Sequence, residues 1–145
     1  MADLRTRPLG ATATLGRRGY PQIRSATGGT IDIVTGASEP GFNPLDLLLA
    51  SLAACMSMSA RIAARDLGLA ERMSGLRVEA TGEKADEGPS RFAALTVVFQ
   101  FEGSLTAKEQ LEVGHRAEEI CTVSNTLAVR PQIMIDSSRP QPDQG

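Results

Sequence analysis

From Leu47 to Ala60 the chain carries no charge, in a sequence of only 145 residues. The run falls short of the about 20 apolar residues that a bilayer span requires. It holds three serines and opens beside Asp46. These features read as a helix buried in a protein core. Asn43 is a natural N-cap and Pro44 suits the first helical position. Gly68, following Arg61, Arg65 and Asp66, is a natural stop. Leu48, Ser51, Leu52, Cys55, Met58, Ser59 and Ile62 share a face at helical spacing. The first half is apolar almost all round and is expected to be buried on most sides. The second half is amphipathic and is expected to reach solvent.

The flanking segments read as β-structure. Ala11 to Thr14 alternates small apolar with β-branched residues, Gly16-Arg17-Arg18-Gly19 interrupts as a turn, and Thr30 to Val34 is a second or third strand. Gly36 to Gly41 is a loop. After the helix, Gly75 to Glu83 places Leu76, Val78 and Ala80 on one face. Phe92 to Phe101 places Ala93, Leu95, Val97, Phe99 and Phe101 on one face. The polar turn between them predicts a hairpin. Thr106 to Glu109 is a capping box opening a second helix to about Ile120, with Leu111, Ala117 and Ile120 as apolar contacts. Ser124 is expected to cap a further short turn. Gln132 to Ile135 reads as a last strand, and residues 137–145 as a disordered, Pro-rich tail. The order β-β-β-α-β-β-α-β keeps strands apart from helices, which predicts an α+β fold in one domain, residues 1–136.

A net charge of -2 leaves no basic field for phosphates, and 3% aromatics leaves no base-stacking platform, so nucleic acid is not expected as a partner. Two cysteines and one histidine do not make a structural zinc site. No Gly-rich strand-to-helix loop offers a nucleotide a seat. Met1 to Pro8 is charged, without a secretory apolar region, and the cysteines are few. The expectation is a reducing, cytoplasmic setting with no membrane partner.

Function then turns on Cys55, inside the apolar helix, and Cys121, just after the second helix. A lone cysteine in such a helix is usually inert packing. Met56 and Met58 are most simply core. His115, on a charged helix, is expected at the surface.

Asn43-Pro44 leading into an apolar helix with Cys55 resembles the superfamily of osmotically inducible protein C (OsmC) and the organic hydroperoxide resistance proteins (Ohr). Cys121-Thr122-Val123-Ser124-Asn125-Thr126-Leu127 is similar to its second cysteine segment, and Ala11 to Arg17 to its opening. The resemblance covers roughly residues 8 to 136. It implies an intertwined α+β homodimer with two sites at the subunit interface, and a thiol peroxidase needing no metal or bound cofactor. Cys55 would attack a small apolar organic hydroperoxide and become a sulfenic acid. Cys121 would resolve it to a disulfide, and a dihydrolipoamide-like dithiol, free or on a lipoylated protein, would reset the pair. Cys55 lies eleven residues past Pro44, about 16 Å along the axis. The helix dipole acts mainly over the first turn, so a fixed cation is needed to activate the thiol. Arg17 is the choice by resemblance, with Arg18 as its neighbour.

One departure stands out. Relatives carry a glutamate directly after Asn-Pro, where this chain has Leu45. Asp46, about 100° around the helix, and Glu39 in the preceding loop are the candidate substitutes. The alternative expectation is a non-catalytic, stress-associated binding dimer whose thiols stay reduced. Thiol chemistry on another electrophile is a third.

Overall fold

The structure, a computed structural model, describes residues 6–137. The expected tail therefore lies, apart from Ser137, outside the described residues. The architecture is α+β, with two three-stranded sheets. Within the expected span the chain is arranged as two compact units, up to Leu48 and from Leu49 onward.

The first unit is an antiparallel meander of β1 (Ala11–Thr14), β2 (Gln22–Ser25) and β3 (Thr30–Asp32). Thr12 pairs with Arg24, and Ile23 with Ile31. β2 is the strand that has no alternating run of its own in the sequence. The turn into β3 closes through Gly28, whose φ of +97° suits glycine. The Ser25 hydroxyl accepts from the Gly29 amide at 3.0 Å. Ile33 is buried and bridges to Phe42.

Helix α1 (Pro44–Asp66) starts in the first unit and continues into the second. Its opening is a reciprocal cap: the Asp46 amide donates to Asn43 Oδ1 at 2.7 Å and the Asn43 amide to Asp46 Oδ2 at 3.0 Å. Gly68, at φ +72°, follows its end.

In the second unit a one-turn 3₁₀ helix (Ala70–Arg72) leads into the hairpin of β4 (Met73–Lys84) and β5 (Phe92–Gly103). β6 (Gln132–Ile135) adds parallel to β5, with Val97 opposite Ile133. Helix α2 (Ala107–Ile120) opens with the expected box. The Glu109 amide donates to Thr106 Oγ1 at 3.1 Å, and the Thr106 amide to Glu109 Oε1 at 2.9 Å. A short α3 (Thr122–Thr126) follows at once. Leu52, Met56, Ala60, Ala63 and Ala64 of α1 share one core with Leu95, Val97, Phe99 and Phe101 of β5 and with Val113, Ala117 and Cys121.

Four expectations need correction. The buried stripe of α1 is Leu52, Met56, Ser59, Ala60, Ala63 and Ala64, rotated from the expected face. Met58 is 64% and Ile62 42% exposed. A run apolar on every side has no period from which to read its inner face, and within the chain only one side is fully covered. Leu111 is exposed, while Val113, Gly114 and Ala117 face inward. Gly114 permits that approach, because a Cβ there would stand 3.3 Å from both Ile133 and Ile135. Ala93 is exposed, at the hairpin end of β5, where the buried face begins only at Leu95. Cys121, rather than Ser124, caps α3.

At 23 residues α1 is longer than its uncharged run and is, among described helices, the one long and apolar enough to cross a membrane. Its inner stripe lies in the core described above, the usual place of such a helix in a globular protein.

Candidate functional site: a paired thiol

Two segments far apart in sequence bring the site together in the second unit. Cys55 projects from the middle of α1 and is half-buried. Cys121, fully buried, occupies the corner between α2 and α3. Both thiols are free, and they are within hydrogen-bonding reach of each other. The corner is tightly specified. The Cys121 amide donates to the Ala117 carbonyl at 2.9 Å and its carbonyl accepts from the Asn125 amide at 3.0 Å. Its sulfur accepts from the Ser124 amide at 3.4 Å, making Cys121 the cap of α3.

The corner also aims the first amides of α3 at Cys55. Burial works to raise the Cys55 thiol's pKa. The Val123 amide, the Cys121 thiol, the Ser59 hydroxyl and the Thr122 amide, all donating to its sulfur, outweigh burial and hold it below the ordinary thiol value. Cys121 goes the other way. Burial raises it, the hydrogen bond to Cys55 and the negative charge there raise it further, and the Ser124 and Val123 amides only partly oppose; it is pushed up to about 11. The two neighbouring thiols are thus driven in opposite directions, Cys55 toward greater acidity and Cys121 toward less.

The remaining expected site residues lie in the first unit. Arg17 and Arg18 are exposed in the bend after β1. Asp46 is engaged with Asn43 at the head of α1. Glu39 is exposed in the loop after β3, with its amide on the Gly36 carbonyl at 3.1 Å and its side chain folded over Gly36. Leu45 is exposed. His115 is exposed, as expected. Among the described residues no group of three or more His, Cys, Asp or Glu converges to hold a metal ion.

Sequence reasoning missed the part played by Ser59 and by the Thr122 and Val123 amides. Ser59 had a visible signal: it follows Cys55 by four residues, the spacing that stacks side chains on one helix face. The amides had none, since any residue carries one.

The family model for OsmC-like proteins matches residues 36–136. The chain therefore belongs to the OsmC-like family. Among curated proteins none matches it in sequence. Among solved structures, the organic hydroperoxide resistance protein OhrB of Bacillus subtilis is similar with a TM-score of 0.72 at 22% identity, covering 90% of this chain and 98% of its own. An OsmC-like protein from Mycoplasma pneumoniae reaches 0.75 at 20% identity, over 90% and 96%. An organic hydroperoxide resistance protein from Elizabethkingia anophelis reaches 0.70 at 18%, over 92% and 99%. At these identities the likeness establishes the fold.

Proposed function

We propose that this chain is a thiol peroxidase that reduces organic hydroperoxides through Cys55, with Cys121 as resolving thiol. The observation that carries the reading is the meeting of Cys55 on α1 with the buried Cys121 at the α2–α3 corner, in surroundings that hold the first thiol low and push the second up. The names of the Bacillus and Elizabethkingia neighbours agree with it.

The chemistry follows from the pair. The Cys55 thiolate attacks the terminal oxygen of ROOH; the S–O bond forms as the O–O bond breaks. Sulfur is oxidised to a sulfenic acid and the hydroperoxide is reduced to the level of an alcohol. The Cys121 thiol faces that reaction and supplies the proton that converts the leaving alkoxide to ROH. The thiolate left on Cys121 then attacks the Cys55 sulfur, forming the disulfide and expelling hydroxide, which takes up a proton from solvent as water. An external dithiol returns the pair to the reduced state. The apolar helix around Cys55 favours a hydrocarbon-bearing hydroperoxide over hydrogen peroxide. Arg17 is the cation assigned to activate the thiolate, with Glu39 or Asp46 as its supporting acid.

Mixing the reduced protein with one equivalent of cumene hydroperoxide is expected to remove two hydrogens from its intact mass rapidly. An unchanged mass, or oxidation no faster than that of free cysteine, sinks the reading and leaves the non-catalytic binding dimer, the alternative that Leu45 favours.

The proposed enzyme is a homodimer. Ala54, Met58 and Ile62 recur at helical spacing on α1 and are all exposed in the single chain, an apolar stripe that calls for a cover. The expected cover is the same stripe of a second copy. Met58→Arg is therefore expected to shift the protein from dimer to monomer, or into aggregates, in light scattering after gel filtration. A wild-type monomer, or a Met58→Arg dimer of unchanged affinity, counts against this interface.

A further inference from the structure

The turn that presents Cys121 is held from outside by a small polar clamp. Asn125 Nδ2 donates to the Glu119 carbonyl at 2.9 Å, reaching back to one of the last carbonyls of α2. Its Oδ1 accepts from Arg130 Nη1 at 3.1 Å. The other arm of Arg130 reaches Glu118 Oε1 at 3.5 Å, and that carboxylate is only 19% exposed. The amide of Asn125 has both faces committed, which fixes its orientation. The three side chains thus join the end of α2, the body of α3 and the segment entering β6.

At five residues, α3 is too short to hold itself together by its own hydrogen bonds. Yet Cys121 and the Thr122 and Val123 amides must all keep a fixed attitude toward Cys55. Cys121 alone provides the corner, at φ -66° and ψ 109°. A small rotation there would swing both amides off the sulfur.

We propose that Asn125 and Arg130 are positioning residues of the cysteine pair, clamping α3 to the end of α2 so that Cys121 and the Thr122 and Val123 amides stay aimed at Cys55. This rests on the reading of the pair as a reactive thiol site and adds to it the residues that hold the pair in register. The clamp acts through the turn, so its loss changes reactivity at a sulfur on a different helix.

The test is the rate of Cys55 alkylation by iodoacetamide across pH, with the labelled site identified by peptide mass. Asn125→Ala is expected to slow labelling at pH 7 by about fivefold and to move the profile toward alkaline pH. Arg130→Ala is expected to act in the same direction and less. The double variant is expected to be no slower than Asn125→Ala alone, because both remove one device. Far-UV circular dichroism and urea midpoints of both single variants check the fold, and Arg130→Ala, altered at a side chain 55% exposed, keeps the test open where Asn125→Ala is destabilised. An unchanged profile in both single variants overturns the proposal, as does a fully additive double variant. Alkylation needs no peroxide. A wild type that alkylates quickly but ignores cumene hydroperoxide therefore refutes the peroxidase reading while leaving the clamp standing.

Discussion

Cys55→Ser is expected to lose hydroperoxide reduction entirely, and Cys121→Ser to lose only its recycling. In Cys55→Ser the remaining thiol has no exposed surface, and burial, the leading cause of its raised pKa, is still in place. A thiol whose pKa burial holds above the ordinary value is almost entirely protonated at pH 7 and a poor nucleophile. Cys121→Ser keeps a hydroxyl facing Cys55, so the first oxidation should proceed near the wild-type rate. The protein should then gain one oxygen, be trapped by dimedone as a sulfenic acid, and stop after one event. Cys121→Ala removes the donor as well, and its first step is expected to slow. Rapid mixing followed by intact mass separates the three variants. Continued turnover by Cys55→Ser, or equal first steps in Cys121→Ser and Cys121→Ala, would contradict the assigned roles. The same asymmetry has a stability signature. Because the folded pKa of Cys121 is raised, its contribution is present below the unfolded thiol value of about 8.5 and is lost as pH rises toward 11. Alkaline denaturation should therefore be milder in Cys121→Ser.

The pattern in β5 was legible because a strand buried on one face writes itself in period two, and Leu95, Val97, Phe99 and Phe101 do face inward. The caps were legible because the backbone groups they satisfy are local: Asn43 with Asp46, Thr106 with Glu109. α1 was legible as an element and illegible as a face. Its inner stripe is mostly Ala and Ser, while Met58 and Ile62 point out. Gly114 illustrates the same limit on α2, where the closest approach to β6 belongs to a residue that no hydrophobicity scale favours. The site divides similarly. Both cysteines could be picked out by their surroundings in sequence. What tunes them is the angle between α2 and α3, a property of three-dimensional packing, so the donors at Cys55 could not be read along the chain.

Ser59→Ala is expected to disarm Cys55 without disturbing the fold. Ser59 is only 4% exposed, one of two buried polar residues among those described, and its hydroxyl, one helical turn from Cys55, helps hold that thiol below its ordinary value. A hydrogen bond to a charged partner is worth about 1.5–3 kcal/mol. Its loss should raise the Cys55 pKa. Alanine is the best helix former and smaller than serine, so helix propensity and packing both tolerate it. The rate with hydroperoxide at pH 7 should then fall by roughly tenfold as the thiolate fraction drops. The sign reverses at high pH. Once Cys55 is fully ionised in both proteins, the variant's more basic thiolate is the better nucleophile, since reactivity rises with pKa along a Brønsted slope of about 0.4–0.5. The two pH–rate profiles should therefore cross. Because the folded pKa of Cys55 is depressed in the wild type, the stability it contributes is present above about pH 8.5 and is lost as pH falls through the folded value. Ser59→Ala should carry less of that dependence. Stopped-flow rates from pH 5 to 10 decide the matter, with Ser59→Thr as the variant that restores the hydroxyl at the cost of a methyl group in a packed site. Profiles that share a midpoint would mean that Ser59 is only filling space beside the thiol. A parallel drop at every pH would instead point to damaged packing rather than a lost donor.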